Sequence, residues 1–177
     1  MHARFSTTLH LPVVDDDVVE ELGRINGVLI HPDTGKVEGF FLRTHGFFRR
    51  QNLFLATEDI QRWGLRITVR GPEVLAPVEE RVRLQTLLEE GRYVLGQRVV
   101  TETGRTLGRC ADVQFETEFF MVEWLLIRKF WRWRTSLPLS QILEVRKDAV
   151  VVRDPLSPVP EKAKEEKSPM LQVPEAA

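Results

Sequence analysis

The chain has 177 residues, a formal net charge of −1 and one cysteine, with 42% hydrophobic and 29% charged residues. This composition is typical of a soluble globular protein and gives no overall charge that would recruit nucleic acid or a membrane. A single cysteine excludes an intrachain disulfide and any site built from several cysteines. The sequence has neither a run of about 18 apolar residues nor the layout of a signal peptide, so we expect a cytoplasmic protein without a membrane span.

Short strands separated by turns are predicted along the first half of the chain. Apolar, β-branched stretches place them at residues 11–14, 25–30, 37–43, 53–55 and 65–70, after a short lead-in strand within residues 1–10. Residues 31–36 carry a strong turn signal, and residues 44–52 predict a polar hairpin tip. Strict alternation of apolar and polar residues over 65–70 predicts a strand that is buried on one face only.

The second half begins with a helix, predicted at residues 78–90 because Pro77 suits a helix start and Gly91 a helix end. Strands are then predicted at residues 107–115, 122–127 and 149–153, with an aromatic and basic hairpin at 130–134. From Pro155 onward the chain holds five of its ten prolines, many charges and no aromatic residue. Such a segment buries too little apolar surface to offset its chain entropy, so residues 156–177 are predicted to be a disordered tail.

One stretch of sequence occurs twice and organises the chain. Leu22-Gly23-Arg24 recurs 85 residues later as Leu107-Gly108-Arg109, and the correspondence continues without a gap to Arg43 and Arg128. A later pair of segments, residues 69–72 and 152–155, recurs at a spacing of 83. Two copies are too few for a solenoid and predict a duplicated small domain. We therefore expect a first repeat at 1–75, a helical connector at 76–92, a second repeat at 93–155 and the tail at 156–177.

The repeat also predicts which residues form the core. Phe40 and Leu42 of the first copy correspond to Leu125 and Ile127 of the second, and we expect the four to occupy equivalent buried positions. Cys110 stands where the first copy has Ile25, so it is predicted to fill the core.

The first copy resembles the PRC-barrel family, which includes the photosynthetic reaction-centre H subunit and the C-terminal domain of the ribosome maturation factor RimM. The resemblance rests on Leu22-Gly23-Arg24, Val28-Leu29-Ile30 and Pro32-Asp33-Thr34-Gly35-Lys36 with Val37. The second copy keeps Leu107-Gly108-Arg109, but Thr117-Glu118-Phe119 replaces the Thr-Gly-Lys turn, so its hairpin is expected to differ in shape. The resemblance implies an all-β protein of two tandem small β-barrels joined by a short helix, used as an adaptor or assembly surface.

No motif indicates an enzyme. The histidines at 2, 10, 31 and 45 have no metal-ligand spacing, and Asp15-Asp16-Asp17 lacks the alternating ligands of a calcium loop. Neither a phosphate-binding glycine loop nor a nucleophile elbow is present in the sequence. We therefore expect no catalytic residue, cofactor or metal.

The conspicuous candidate site is the stretch 128–134, which places four cations and three aromatic residues in seven positions. On a continuous strand, Arg128, Arg132 and Arg134 would share one face, and Trp131 and Trp133 the other. Two interpretations stay open: the tryptophans fill the core or the seam between barrels, or the hairpin protrudes to bind an anionic partner. The predicted partner-binding residues are Arg128, Lys129, Trp131, Arg132, Trp133, Arg134, Arg49 and Arg50.

The function predicted from these observations is a non-enzymatic adaptor or assembly module that binds another protein. An RNA-binding or ribosome-associated maturation factor that uses the aromatic and basic hairpins is the alternative. Peripheral contact with an anionic membrane through the same arginines is a third possibility. The oligomeric state stays open.

Overall fold

The computed structural model describes residues 1–18, 20–44 and 53–154, with the backbone alone described at Trp133 and Arg134. The predicted tip at 44–52, which holds Arg49 and Arg50, lies outside the described residues except for Thr44. The predicted disordered tail also lies outside them. The described residues are mostly β, with barrel-like sheets, which confirms the all-β prediction.

The first sheet is formed from residues of the first half of the chain, and its strand order is β6-β7-β2-β3-β4-β5-β8. Its strands are β2 Pro12–Asp15, β3 Glu21–Ile30, β4 Val37–Arg43, β5 Leu53–Ala56, β6 Ile60–Arg62, β7 Ile67–Val69 and β8 Ala76–Pro77. A 3₁₀ turn, Thr57–Asp59, joins β5 to β6.

The second sheet has the order β12-β11-β10-β9-β14-β13, and β1 pairs with β10 beside this path. Its strands are β1 His2–Arg4, β9 Arg98–Thr101, β10 Thr106–Glu116, β11 Val122–Lys129, β12 Arg132–Pro138, β13 Ile142–Val145 and β14 Ala149–Val152. A 3₁₀ turn, Leu139–Gln141, joins β12 to β13. The lead-in strand β1 therefore exists, but it pairs with the half of the chain that is more distant in sequence.

Two helices accompany the sheets in the described residues, α1 Phe5–Thr8 and α2 Val82–Glu90. The predicted helix at 78–90 is thus divided, because a 3₁₀ turn at Val78–Glu80 precedes α2. Gly91 ends α2, as its residue type predicted, and adopts the left-handed conformation with a φ of 61°. Its N–H donates to the Leu88 carbonyl at 3.2 Å. Buried leucines of α2 pack against Phe54 and Ala56 and cover the back of the first sheet.

The two sheets repeat the same strand pairing. The parallel pair β2–β7 corresponds to β9–β14, and the antiparallel ladder β3–β4 corresponds to β10–β11, with register shifts at the same two places. The equivalent Cα partners are Val28–Phe40 and Val113–Leu125, then Ile25–Leu42 and Cys110–Ile127. Phe40, Leu125 and Ile127 are fully buried and Leu42 is nearly so, which confirms the four predicted core positions.

The prediction that residues 65–70 form a half-buried strand is wrong. β7 spans only Ile67–Val69, and all three of its residues are buried, whereas Leu65 before it is 94% exposed. Thr68 points to the face opposite Ile67 and Val69, as alternate residues of a strand do, so both faces of β7 are covered. The alternating pattern of apolar and polar residues therefore extends beyond the strand, to exposed residues such as Leu65.

The hairpin turn of the second copy was expected to differ in shape, and it keeps the same closing bond but differs in its internal bonds. In the first turn the Gly35 N–H donates to the His31 carbonyl at 2.9 Å, whereas a carboxylate holds the second turn. Gly35 and Phe120 are 85 residues apart, and both adopt positive φ angles, 73° and 56°. The closing bond from the His31 N–H to the Lys36 carbonyl recurs as that from Glu116 to Met121. The Glu116 carboxylate holds the turn by accepting the N–H groups of Glu118 and Phe119.

These two turns meet and join the halves of the chain. The Val37 N–H donates to the Phe120 carbonyl at 2.7 Å, and the Val122 N–H donates to the Gly35 carbonyl at 2.9 Å. Both bonds flank an antiparallel bridge between Lys36 and Met121. The equivalent residues, each 85 apart, are Gly35 and Phe120, Lys36 and Met121, and Val37 and Val122. An approximate two-fold axis therefore passes between Lys36 and Met121, as at the interface of a symmetric dimer.

A shared aromatic cluster lies beside this contact. The Phe40 ring is 5.3 Å from Trp63, 6.1 Å from Phe115 and 6.3 Å from Phe120, measured between centroids. Phe40 and Trp63 come from the first half of the chain, and the other two come from the second. One continuous core therefore includes buried residues of both sheets.

Polar contacts reinforce the junction. The buried Asp112 carboxylate accepts the backbone N–H and the hydroxyl of Ser6 in α1, at 3.0 and 2.5 Å. The Arg92 guanidinium donates to both oxygens of Asp33 at 2.6 and 2.8 Å, and this pairing lowers the pKa of Asp33. The segment before β2 and the segment after α2 thus both bind the opposite half of the chain.

Candidate functional site

The candidate hairpin is formed by β11 and β12, which pair through Lys129 and Arg132. Phe130 and Trp131 form the two-residue turn between them. Phe130 has a φ of 55°, a left-handed conformation that is uncommon for a bulky residue and costs free energy. We call residues 128–132 the basic-aromatic tip.

The aromatic residues of the turn are exposed. Phe130 is 83% and Trp131 86% accessible, and their ring centroids lie 6.4 Å apart. Arg128, Lys129 and Arg132 are exposed around them. The tip therefore presents a small apolar surface bordered by cationic side chains.

Two sequence interpretations are corrected at the tip. Trp131 does not fill the core or a seam between barrels, because it lies in the turn and faces solvent. The predicted shared strand face of Arg128 and Arg132 also fails, because Arg132 lies opposite Lys129 and not on the face of Arg128. The turn replaces the strand at Phe130 and Trp131, and a register shift follows Ile127.

Phe130 was not among the predicted partner-binding residues. The turn holds no glycine, proline, asparagine or aspartate, so no local sequence signal separates it from the flanking strands. Of the predicted residues, the structure brings together Arg128, Lys129, Trp131 and Arg132. The side chains of Trp133 and Arg134, and the whole of Arg49 and Arg50, lie outside what the structure describes.

A cleft of about 370 Å³ lies between the β3–β4 turn and α2. The nearly buried Glu38 carboxylate lies within it, 3.6 Å from Arg83 and 4.0 Å from Lys36. These cations compensate its charge, and His31 also lines the cleft. A metal cluster of three His, Cys, Asp or Glu side chains is absent from residues 1–18, 20–44 and 53–154.

Cys110 is fully buried on β10, as its equivalence to Ile25 predicted. Burial and the neighbouring Asp112 charge raise the pKa of its thiol to about 12. The thiolate is the reactive form, so this sulfur is protected both from reagents and from ionisation.

We expect Cys110 to resist alkylation by iodoacetamide at pH 8 in the folded chain and to react fully in denaturant. Mass spectrometry of the intact chain over time measures the modified fraction. Rapid alkylation without denaturant would contradict the burial of β10.

The comparisons with known proteins agree with the fold of the first sheet. Residues 3–83 match the family model of the PRC-barrel domain. The match includes the Leu22-Gly23-Arg24 and Thr34-Gly35-Lys36 segments and ends before β9, so it agrees with the predicted resemblance over this part of the chain. A search of curated proteins found none that matches the chain. The described residues also include no helix with the length and apolar character needed to span a membrane.

Proposed function

We propose that this protein is a non-enzymatic adaptor or assembly module that binds a protein partner through the basic-aromatic tip. In this proposal residues 1–75 and 93–155 are two PRC-barrel-like units, and residues 76–92 connect them. Support for the second unit comes from its strand order, pairing register and left-handed turn residue, which repeat those of the matched unit. The cytoplasmic location stays a prediction from the sequence.

The observation that carries the proposal is the paired exposure of Phe130 and Trp131. Both rings extend from the end of a long hairpin and contribute no buried area to the core. Tryptophan and arginine are the residue types most enriched at the energetic centres of protein interfaces, where the ring enters a pocket. The tip combines both types, which suits an interface with an apolar centre and an anionic border.

The proposal is tested by changing Phe130 and Trp131 together to serine. We expect recovery of proteins that copurify with the chain from its source cells to fall about tenfold, equivalent to about 1.4 kcal/mol. The melting temperature is expected to stay within about 2 °C of the wild type, because both rings are exposed. Quantitative mass spectrometry of the copurified proteins and a thermal melt measure the two effects.

The matched control changes Leu65 and Phe119 to serine. These residues are 94% and 70% exposed, so the control removes two exposed apolar side chains away from the tip. It is expected to leave the copurified proteins unchanged. An unchanged set of partners in the Phe130 and Trp131 variant would reject the tip as the binding site.

RNA is the second candidate partner, because an exposed indole beside cations also stacks on bases. Phosphate contacts release counterions, so RNA affinity would fall roughly tenfold between about 50 and 200 mM salt. An interface centred on apolar contacts changes much less over this range. Copurified material that ribonuclease removes, together with steep salt dependence, would favour this alternative over the protein partner.

A further inference from the structure

The two sheets differ at one equivalent edge. In the first sheet β5 is covered by β8, through the pairs Leu53–Pro77 and Phe54–Ala76. β12 holds the same place in the second sheet, because it follows β11 as β5 follows β4. Within the part of the chain that the structure describes, no strand pairs with the outer edge of β12.

The pairing register identifies the positions on β12 that correspond to the covered positions on β5. Leu53 lies opposite Leu42, as Thr135 lies opposite Ile127. By the same register Phe54 corresponds to Ser136. Phe54 is fully buried, whereas Thr135 and Ser136 are both exposed. The first sheet thus shows that this edge accepts an antiparallel strand, and among residues 1–18, 20–44 and 53–154 nothing pairs with the equivalent edge of the second sheet.

An open edge strand presents backbone N–H and C=O groups that can pair with another extended chain. Lysine and arginine at such an edge oppose pairing between two copies of the same edge, because like charges would be brought together. Lys129 and Arg132 are exposed where β12 begins. The same charges attract an extended segment that carries carboxylates.

We propose that the outer edge of β12 binds an extended, acidic segment of the partner protein as an added antiparallel strand. This inference rests on the proposed adaptor function and specifies the chemistry of its partner. Backbone hydrogen bonds to β12 hold the segment, and its carboxylates lie near Lys129 and Arg132. The polar Thr135 and Ser136 replace the apolar pair of β5, so the added strand buries little apolar surface and binds reversibly.

The probe is a displayed library of random ten-residue peptides, selected on the full-length chain. We expect the enriched peptides to carry Asp or Glu at alternating positions with β-branched residues between them. A synthetic peptide of the enriched sequence is expected to bind the wild-type chain at least about tenfold more tightly than a Lys129→Glu, Arg132→Glu variant. Fluorescence anisotropy measures both affinities.

The matched control reverses Arg62 and Arg66, two exposed arginines of the first half of the chain, to glutamate. It changes the net charge by the same amount and is expected to bind the peptide as the wild type does. Hydrogen exchange supplies the structural readout: backbone amides within 132–138 should slow when the peptide binds. N-methylation of alternate peptide nitrogens, in the register that faces β12, is expected to abolish binding.

Three results would overturn the inference. They are a failure to enrich acidic peptides, amide protection on strands other than β12, and peptide binding that requires deletion of residues 155–177. The last result would assign the β12 edge to the chain's own C-terminal segment. If the Phe130 and Trp131 variant loses its partner while that partner leaves the β12 amides unprotected, the adaptor function stands and the added strand is rejected.

Discussion

Replacing Phe40 with alanine is expected to lower the free energy of unfolding by about 3–5 kcal/mol. Phe40 is fully buried, and its ring meets Trp63 from its own half of the chain and Phe115 and Phe120 from the other. The cavity would therefore open where the two halves share their core. Both halves should lose stability together, because the aromatic cluster and the two turn-to-turn hydrogen bonds form one junction.

Urea unfolding followed by circular dichroism measures the free energy of unfolding. Native-state hydrogen exchange shows which strands lose stability. We expect amides of β3 and β10 to exchange faster by similar factors in the Phe40→Ala chain. Phe119→Ala is the control, because this neighbouring phenylalanine is 70% exposed, and its loss should cost less than about 0.5 kcal/mol. Destabilisation of β3 with β10 unaffected would show that the halves unfold independently.

Gly108→Ala is expected to cost roughly 2–4 kcal/mol, from crowding and backbone strain together. Gly108 has a φ of 149°, and an added Cβ would lie 2.5 Å from the Arg128 carbonyl oxygen and 3.0 Å from the Ile127 side chain. A backbone carbonyl inside a ladder cannot move away as a flexible side chain can. Arg128 also begins the basic-aromatic tip, so the substitution is expected to weaken partner binding as well as folding.

Gly104→Ala separates the two causes. Gly104 also has a positive φ, 84°, but nothing lies within 4 Å of an added Cβ. The Gly104→Ala variant should lose only the stability that backbone strain at positive φ costs, about 1–2 kcal/mol, and should still bind the partner. Chemical denaturation of both variants under the same conditions gives the difference. Equal losses for the two glycines would contradict the close packing of Gly108 against β11.

The junction has a simple physical basis in its backbone geometry. The bonds between the two turns join only main-chain atoms, so they depend on turn shape and not on the side chains carried there. Phe120 holds the left-handed conformation that glycine holds at Gly35, at a cost that the aromatic cluster around its ring offsets. The second copy therefore keeps the contact although it has lost the Thr-Gly-Lys sequence.

The sequence by itself determined the local and repeated features. The spacing of 85 residues predicted the equivalent core positions at Phe40, Leu42, Leu125 and Ile127, because residues of equal strand parity face the same side of a sheet. The left-handed helix end at Gly91 followed from residue type, since glycine adopts positive φ without steric penalty. The resemblance to the PRC-barrel family was also evident over the first copy, where the Leu-Gly-Arg step and the Thr-Gly-Lys turn are both present.

Tertiary structure alone decided how these parts combine. The pairing of β1 with β10 and the meeting of Lys36 with Met121 join residues far apart in sequence, and no periodicity encodes such contacts. The burial of both faces of β7 depends on what packs against each face, and the turn at Phe130 and Trp131 depends on the pairing of β11 with β12. The sequence could not predict the exposed tip, or the β12 edge that no described strand covers, for the same reason: a residue's accessibility is set by what packs against it across the whole fold.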